Sequence, residues 1–370
     1  MTGLLTERLA AVLIDHSLGV RAGDGVLIRG TTTAAPLVRE LYRGVLQAGG
    51  YPELQLDLDG REEALLELGE PAQLDWVNPS ALEAVERVDC RVQLFAPRNT
   101  RSLSGVDPAR QARRSRAAKP IIDAVDRRAA AGELRSVLTV YPTEALAQEA
   151  GMSLADYQRF VAASGFLDRD DPAAEWGALA QRIARLSSWL ETVRVLRVLA
   201  PGTDLTLGVE GRRWVPACGR ENFPDGEIYT APLEDAVDGE ISFELLLLHG
   251  GRPLQGVRLA FRDGEVVEAT ARRGSRALDE LLLLDAGARR AGEFAFGLND
   301  AISRFTGEPL FDEKVGGTVH LALGSAYAEC GGTNDSALHC DLVLDLRQGG
   351  LVYADGELVY RDGAFLGGRF

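Results

Sequence analysis

Residues 26–57 write a strand, a helix and a second strand, and this unit dictates how the first half of the chain can fold. Val26-Leu27-Ile28-Arg29-Gly30 is a short apolar run, and a helical pattern over 36–48 sets Leu37, Leu41, Val45 and Ala48 on one face. Leu54-Gln55-Leu56-Asp57 supplies the second strand. A β-α-β unit of this size closes through a right-handed crossover, which makes its strands parallel neighbours. The pattern returns with a strand at 92–96, a helix at 108–118, a strand at 137–140, helices through 145–190 and a strand at 194–199. The glycine and threonines at 30–33 lack the GK[ST] and G-x-G-x-x-G spacings of a phosphate cradle, so they read as a helix cap. The basic run Arg110, Arg113, Arg114, Arg116 and Lys119 reads as a solvated helix face paired with acidic neighbours.

After Pro201-Gly202 the texture changes to short strands separated by glycine turns, with Arg262-Asp263-Gly264-Glu265 as a hairpin signal and one helix over 275–291. A chain of 370 residues exceeds one ordinary core. The expectation is therefore two domains: residues 1–200 as an α/β domain with a largely parallel sheet, and 201–370 as a β-rich α+β domain. A net charge of −15 removes the basic face that nucleic acid requires. The first twenty residues carry Glu7 and Asp15 and lack the form of a signal peptide, and no apolar run approaches a membrane span. A cytoplasmic protein is expected. Cys90, Cys218, Cys330 and Cys340 are scattered without C-x-x-C, which fits buried thiols better than disulfides or a thiolate zinc site.

Chemistry concentrates at 311–341, where His320, His339 and Asp341 stand close together. If 338–346 is a strand, alternation sends His339 and Asp341 to one face and Cys340 to the other. A second strand at 317–323, folded back by the Gly331–Asn334 loop, would bring His320 to the same surface. Imidazole nitrogens and carboxylate oxygens suit zinc, cobalt or manganese, although an isolated H-x-D also occurs as a polar pair capping a sheet. Glu227 opens an otherwise apolar strand, and Glu293 lies in Ala291-Gly292-Glu293-Phe294-Ala295-Phe296-Gly297, where a buried carboxylate needs a cation. These five residues make a set of nitrogen and oxygen donors.

The stretches GDGVLIRG-TTTAAPLVRELYR, PGTDLTLGV, GEIYTAP, GEFAFG, LFDEK, HLALGSAY and the terminal H-x-D resemble the metal-dependent aminopeptidases of the aminopeptidase T and aminopeptidase S type. The resemblance implies that Glu227, Glu293, His320, His339 and Asp341 bind two divalent metal ions (zinc, cobalt or manganese). It implies an active-site role for Tyr327 and a proton-shuttling acid at Glu313, short peptides as substrates, and a homodimer. Cys340 replaces a tryptophan common in relatives, which reads as a packing change. Two other readings fit parts of the pattern. H-x-D occurs in mononuclear iron oxygenases, but their motif is followed by a distant histidine and His339 is the last in this chain. A non-catalytic protein braced by metals would instead fill four positions, usually with thiolates.

Overall fold

The computed structural model describes residues 3–368 and 370. Two compact units emerge, Met1–Ala173 with Gly219–Pro224, and Ala174–Cys218 with Asp225–Phe370.

In the first unit, β1 (Gly25–Thr31), β2 (Tyr51–Asp57), β3 (Cys90–Phe95) and β4 (Arg135–Val140) form a parallel sheet in the order β2-β1-β3-β4. The short strand Asn222–Phe223, β8 in chain order, adds in parallel to β4. Val26, Leu27 and Ile28 in β1 are all buried, as a strand covered on both faces should be. Around this sheet lie α1 (Gly3–Val12), α2 (Ala35–Gln47), α3 (Arg61–Leu68), α4 (Pro71–Leu74), α5 (Pro79–Arg87), α6 (Pro108–Ala130), α7 (Glu144–Glu149) and α8 (Leu154–Ser164). The sequence placed the end of α6 near 118, yet it continues through Pro120. Its later residues Ile121, Ala124 and Val125 pack onto Leu27, Val85 and Leu134, and that burial outweighs the hydrogen bond lost at proline. The basic face of α6 pairs as expected, with Arg113 on Asp75 at 2.5 Å and Arg114 near Glu62 at 3.6 Å.

The second unit holds most of α9 (Pro172–Leu190) and two antiparallel sheets. The larger contains β5 (Val195–Ala200), β6 (Thr203–Gly208), β10 (Val237–Phe243), β11 (Leu247–His249), β12 (Arg252–Arg262), β13 (Glu265–Arg273), β17 (Leu351–Ala354), β18 (Glu357–Arg361) and β19 (Ala364–Phe365). The smaller runs β16-β15-β14-β9-β7, from β16 (His339–Asp345), β15 (Thr318–Gly324), β14 (Ala291–Gly297) and β9 (Glu227–Thr230) to β7 (Val215–Ala217). Two short helices, α10 (Ser275–Leu282) and α11 (Pro309–Asp312), complete it. The hairpin signal is met: Asp263 and Gly264 have φ of 49° and 77°, the left-handed pair that a two-residue turn between twisted strands requires. Pro201-Gly202, by contrast, is no junction. Ala200 pairs with Thr203 across it, so the expected boundary at 200/201 falls inside a hairpin and the chain divides at 173/174.

No helix among the described residues is long and apolar enough to cross a membrane. All four cysteines are free and buried.

Candidate metal centre

The smaller sheet gathers the five donors by alternation and register. Glu227 and Tyr229 of β9, Glu293 and Ala295 of β14, His320 and Ala322 of β15, and His339 and Asp341 of β16 share one face. Ala295 lies level with Tyr229 and His320, and Ala322 level with Glu293 and Asp341. Methyl side chains at these two central positions keep the middle of that face clear. The opposite face carries Phe294, Phe296, Leu321, Leu323, Cys340 and Leu342, all buried, with Trp214 edge-on to Phe294 at 6.5 Å between ring centres. Cys340 thus points away from the donors, as its place in the strand demands. At Gly292 the β14–β15 register shifts, and a Cβ there would lie 2.3 Å from the carbonyl oxygen of Ser325. Only glycine permits this approach, and the irregularity adjoins Glu293.

Glu293 stands between the two histidines. Its Oε1 is 3.3 Å from Nε2 of His320, and its Oε2 is 3.3 Å from Nε2 of His339. His320 Nε2 is also 3.5 Å from Glu227 Oε2, and His339 Nε2 is 3.4 Å from Asp341 Oδ2. The Nδ1 of His339 lies 3.2 Å from the carbonyl oxygen of Ser325. A carbonyl can only accept, so Nδ1 carries the proton and the neutral tautomer leaves Nε2 as a free donor atom among the carboxylates. Glu293, His339 and Asp341 each offer an atom within 4.8 Å of the others, a spacing one ion could span. Glu227 Oε2 and Asp341 Oδ1 are buried and accept no hydrogen bond. Buried carboxylate oxygens left in this state are costly, and a bound cation would relieve both. The donor set therefore fits a divalent metal.

The charges make the same point. Burial pulls the His320 imidazole down, but its hydrogen bond to Glu293 and the fields of Glu227, Glu293 and Glu313 outweigh that and raise its pKa to about 9. Burial likewise opposes His339, and hydrogen bonds to Asp341 and Glu293 carry it to about 11. Asp341, raised by burial, is brought down to about 2 by the hydrogen bond to His339 and the charges of His339, His320 and Lys314. Without metal the site draws protons onto its imidazoles, which identifies a place that demands positive charge.

The two remaining expected residues stand at the edges. Tyr327 is part-exposed, its ring 5.1 Å from that of Tyr229 and 5.4 Å from that of His339. Burial of its hydroxyl and the charges of Glu293, Asp341 and Glu227 push it well above the ordinary tyrosine value, so it stays protonated. Glu313 follows α11, and burial raises it to about 8, with Lys314 pulling the other way. The sequence reading gave Lys314 no role. Its buried ammonium lies 3.1 Å from Glu227 Oε1 and 2.5 Å from Glu313 Oε2. His249 in β11 was also passed over, yet burial lowers its pKa while the charges of Asp341 and His339 act on it. Leu245 and Leu247, just before it, share a small cavity with Glu313 and Asp341. Neither signal is visible in sequence, because both depend on segments brought to the sheet from elsewhere in the fold.

A model of the family described as thermophilic metalloprotease (M29) matches residues 5–365. The chain is 28% identical to aminopeptidase 2 of Geobacillus stearothermophilus over 96% of each sequence. It is 27% identical to aminopeptidase T of Thermus thermophilus over 96% of this chain and 95% of that one. Among solved structures, wild-type AmpT from Thermus thermophilus superposes with a TM-score of 0.85 at 24% identity, covering 98% of this chain and 99% of the other. The 2,5-dihydroxypyridine dioxygenase of Pseudomonas putida KT2440 shares the fold with a TM-score of 0.64 at 15% identity, over 99% and 98% of the two chains. One architecture thus carries proteins with different reactions in their names, and the fold alone does not choose between them.

Proposed function

Because the chain belongs to the thermophilic metalloprotease family (M29), it is a metal-dependent aminopeptidase, and we propose that Glu227, Glu293, His320, His339 and Asp341 hold two divalent ions. The observation that carries this is the position of Glu293, with one oxygen toward each histidine. A carboxylate so placed can serve two cations at once. Zinc, cobalt or manganese suits the mixed nitrogen and oxygen set. Ions bound there would supply a nucleophilic hydroxide near neutral pH and polarise the peptide carbonyl.

The protein's own groups do the rest. The face carboxylates dock the free α-amine of a short peptide and so fix which peptide bond is presented. Tyr327, kept protonated by its surroundings, donates its O–H to the oxygen that gains charge at the scissile carbonyl, a contribution of about 3 kcal/mol for one well-aimed donor. Glu313, at about 8, is poised to accept a proton near neutrality and return it to the leaving amine. In this reading the protein works in the cytoplasm as a homodimer that encloses the site and admits peptides but not folded chains.

Metal analysis coupled to turnover of an amino-acid p-nitroanilide tests the proposal. Two ions per chain, loss of activity with chelator and recovery with cobalt, zinc or manganese are expected. Full activity of the metal-stripped protein would overturn it.

A further inference from the structure

The first unit has a second candidate site that owes nothing to the metal centre. After β1 the chain moves to one side to form β2, and β3 then lies on the other side of β1. Loops leaving the carboxyl ends of β1 and β3 therefore diverge, and in open α/β sheets the crevice opened by such a divergence is where ligands bind. A cavity of about 240 Å3 occurs there, bounded by Thr31 at the end of β1, by 57–63 after β2, and by Pro97, Arg98 and Asn99 after β3.

Its charges define the ligand. Asp59 accepts hydrogen bonds from the Thr33 hydroxyl, at 3.2 and 3.1 Å, beside the start of α2. The protein thus brings its own anion to this crevice, and with Asp57, Glu62 and Glu63 also on the walls a phosphate ligand would be repelled. Arg61 is committed to Asp57, and Glu62 lies 3.6 Å from Arg114. Two groups remain available. Arg98 is 73% exposed and reaches Asp59 only at 3.8 Å, and Glu63 has no ion-pair partner among the described residues. One loosely held guanidinium and one uncommitted carboxylate, with Thr31 and Asn99 also on the walls, complement a molecule that carries both a carboxylate and an ammonium. The cavity is smaller than the roughly 300–1,000 Å3 of cofactor pockets, so the ligand is small.

We infer that the crevice at the carboxyl ends of β1–β3 binds a small zwitterion, an α-amino acid or dipeptide, with its carboxylate on Arg98 and its ammonium on Glu63. Amino acids and dipeptides are what an exopeptidase releases and consumes.

Equilibrium dialysis of labelled leucine, and separately of the reduced-peptide-bond analogue of leucylglycine, which an aminopeptidase cannot hydrolyse, against the full-length metal-loaded protein tests this. Saturable binding is expected, weakened roughly tenfold or more in Arg98→Ala and in Glu63→Gln, while p-nitroanilide turnover without added amino acid is unchanged. The stronger of the two ligands identifies the source. Acetate and inorganic phosphate should compete poorly. Binding that is absent, that is equal in the wild type and Arg98→Ala, or that acetate or phosphate displaces as well as unlabelled leucine does, would overturn the inference.

Discussion

The inner and outer ends of the metal centre meet the same electrostatic need in different ways. At the inner end Glu227 and Glu313 share the ammonium of Lys314, a permanent cation supplied by the chain and sealed at 3% side-chain exposure. At the outer end Asp341 feels the Lys314 charge without forming an ion pair with it, and the His339 side chain is 31% exposed. The inner end is neutralised before any metal arrives. The outer end must take more of its positive charge from solution, as protons or as metal. Glu293 joins the two, so what happens to it should decide whether they act as one.

The sharpest break is therefore Glu293→Gln. Removing the shared charge should abolish p-nitroanilide hydrolysis and lower metal content at both ends, read by plasma emission spectrometry on the dialysed variant. A variant that keeps both metals and most of its activity would dissolve the link between the halves. Lys314→Met should separate them by stability. Leaving the buried Glu227 carboxylate without its cation costs about 3–5 kcal/mol, measured by urea unfolding of the metal-free protein, whereas Asp341→Asn, whose histidine partner is part-exposed, should lose metal with a smaller fall in the unfolding midpoint. Equal destabilisation by both would erase the contrast. Tyr327→Phe probes the outer end alone, with metals retained and kcat down roughly 100-fold. A change confined to KM would make the hydroxyl a substrate-binding group.

The smallest effect is a pH dependence. His320 and His339 hold protons more tightly in the folded chain than at their ordinary value of 6.5, at about 9 and about 11. Their contribution to the metal-free fold is complete below about pH 6.5 and declines as pH rises through about 9 and on toward 11. Metal displaces those protons, so metal affinity should rise over the same interval. Urea midpoints that fall with pH in the metal-free protein, and stay level once it is loaded, are expected. A flat metal-free profile would mean the imidazoles do not face the carboxylates.

Much of the centre could be read from the sequence because strand alternation is a rigid rule. Once 338–346 is a strand, His339 and Asp341 must share a face and Cys340 must not, and the structure agrees. Glu227 and Glu293 were weaker signals, since a lone carboxylate looks alike in a turn and at a metal, and only the family resemblance joined them to the histidines. Lys314 stayed hidden because an adjacent Glu-Lys pair normally means a solvated surface, and only the turn after α11 buries it. The domain boundary failed on a related ambiguity: Pro-Gly suits a linker and a tight hairpin equally, and here it joins β5 to β6. Helix α6 outran its expected end because packing of its later apolar residues overrode the proline.

The strand β15 lies in the interior of the smaller sheet, with β14 and β16 bonded to its two sides and all seven of its residues buried. Amides in such a place exchange with solvent only when the whole unit opens, so those of 318–324 should be among the slowest in the molecule to take up deuterium. The floor on which His320 stands is then a fixed reference on the timescale of turnover. The more exposed segments around Tyr327 and His249 should take up deuterium sooner than this floor.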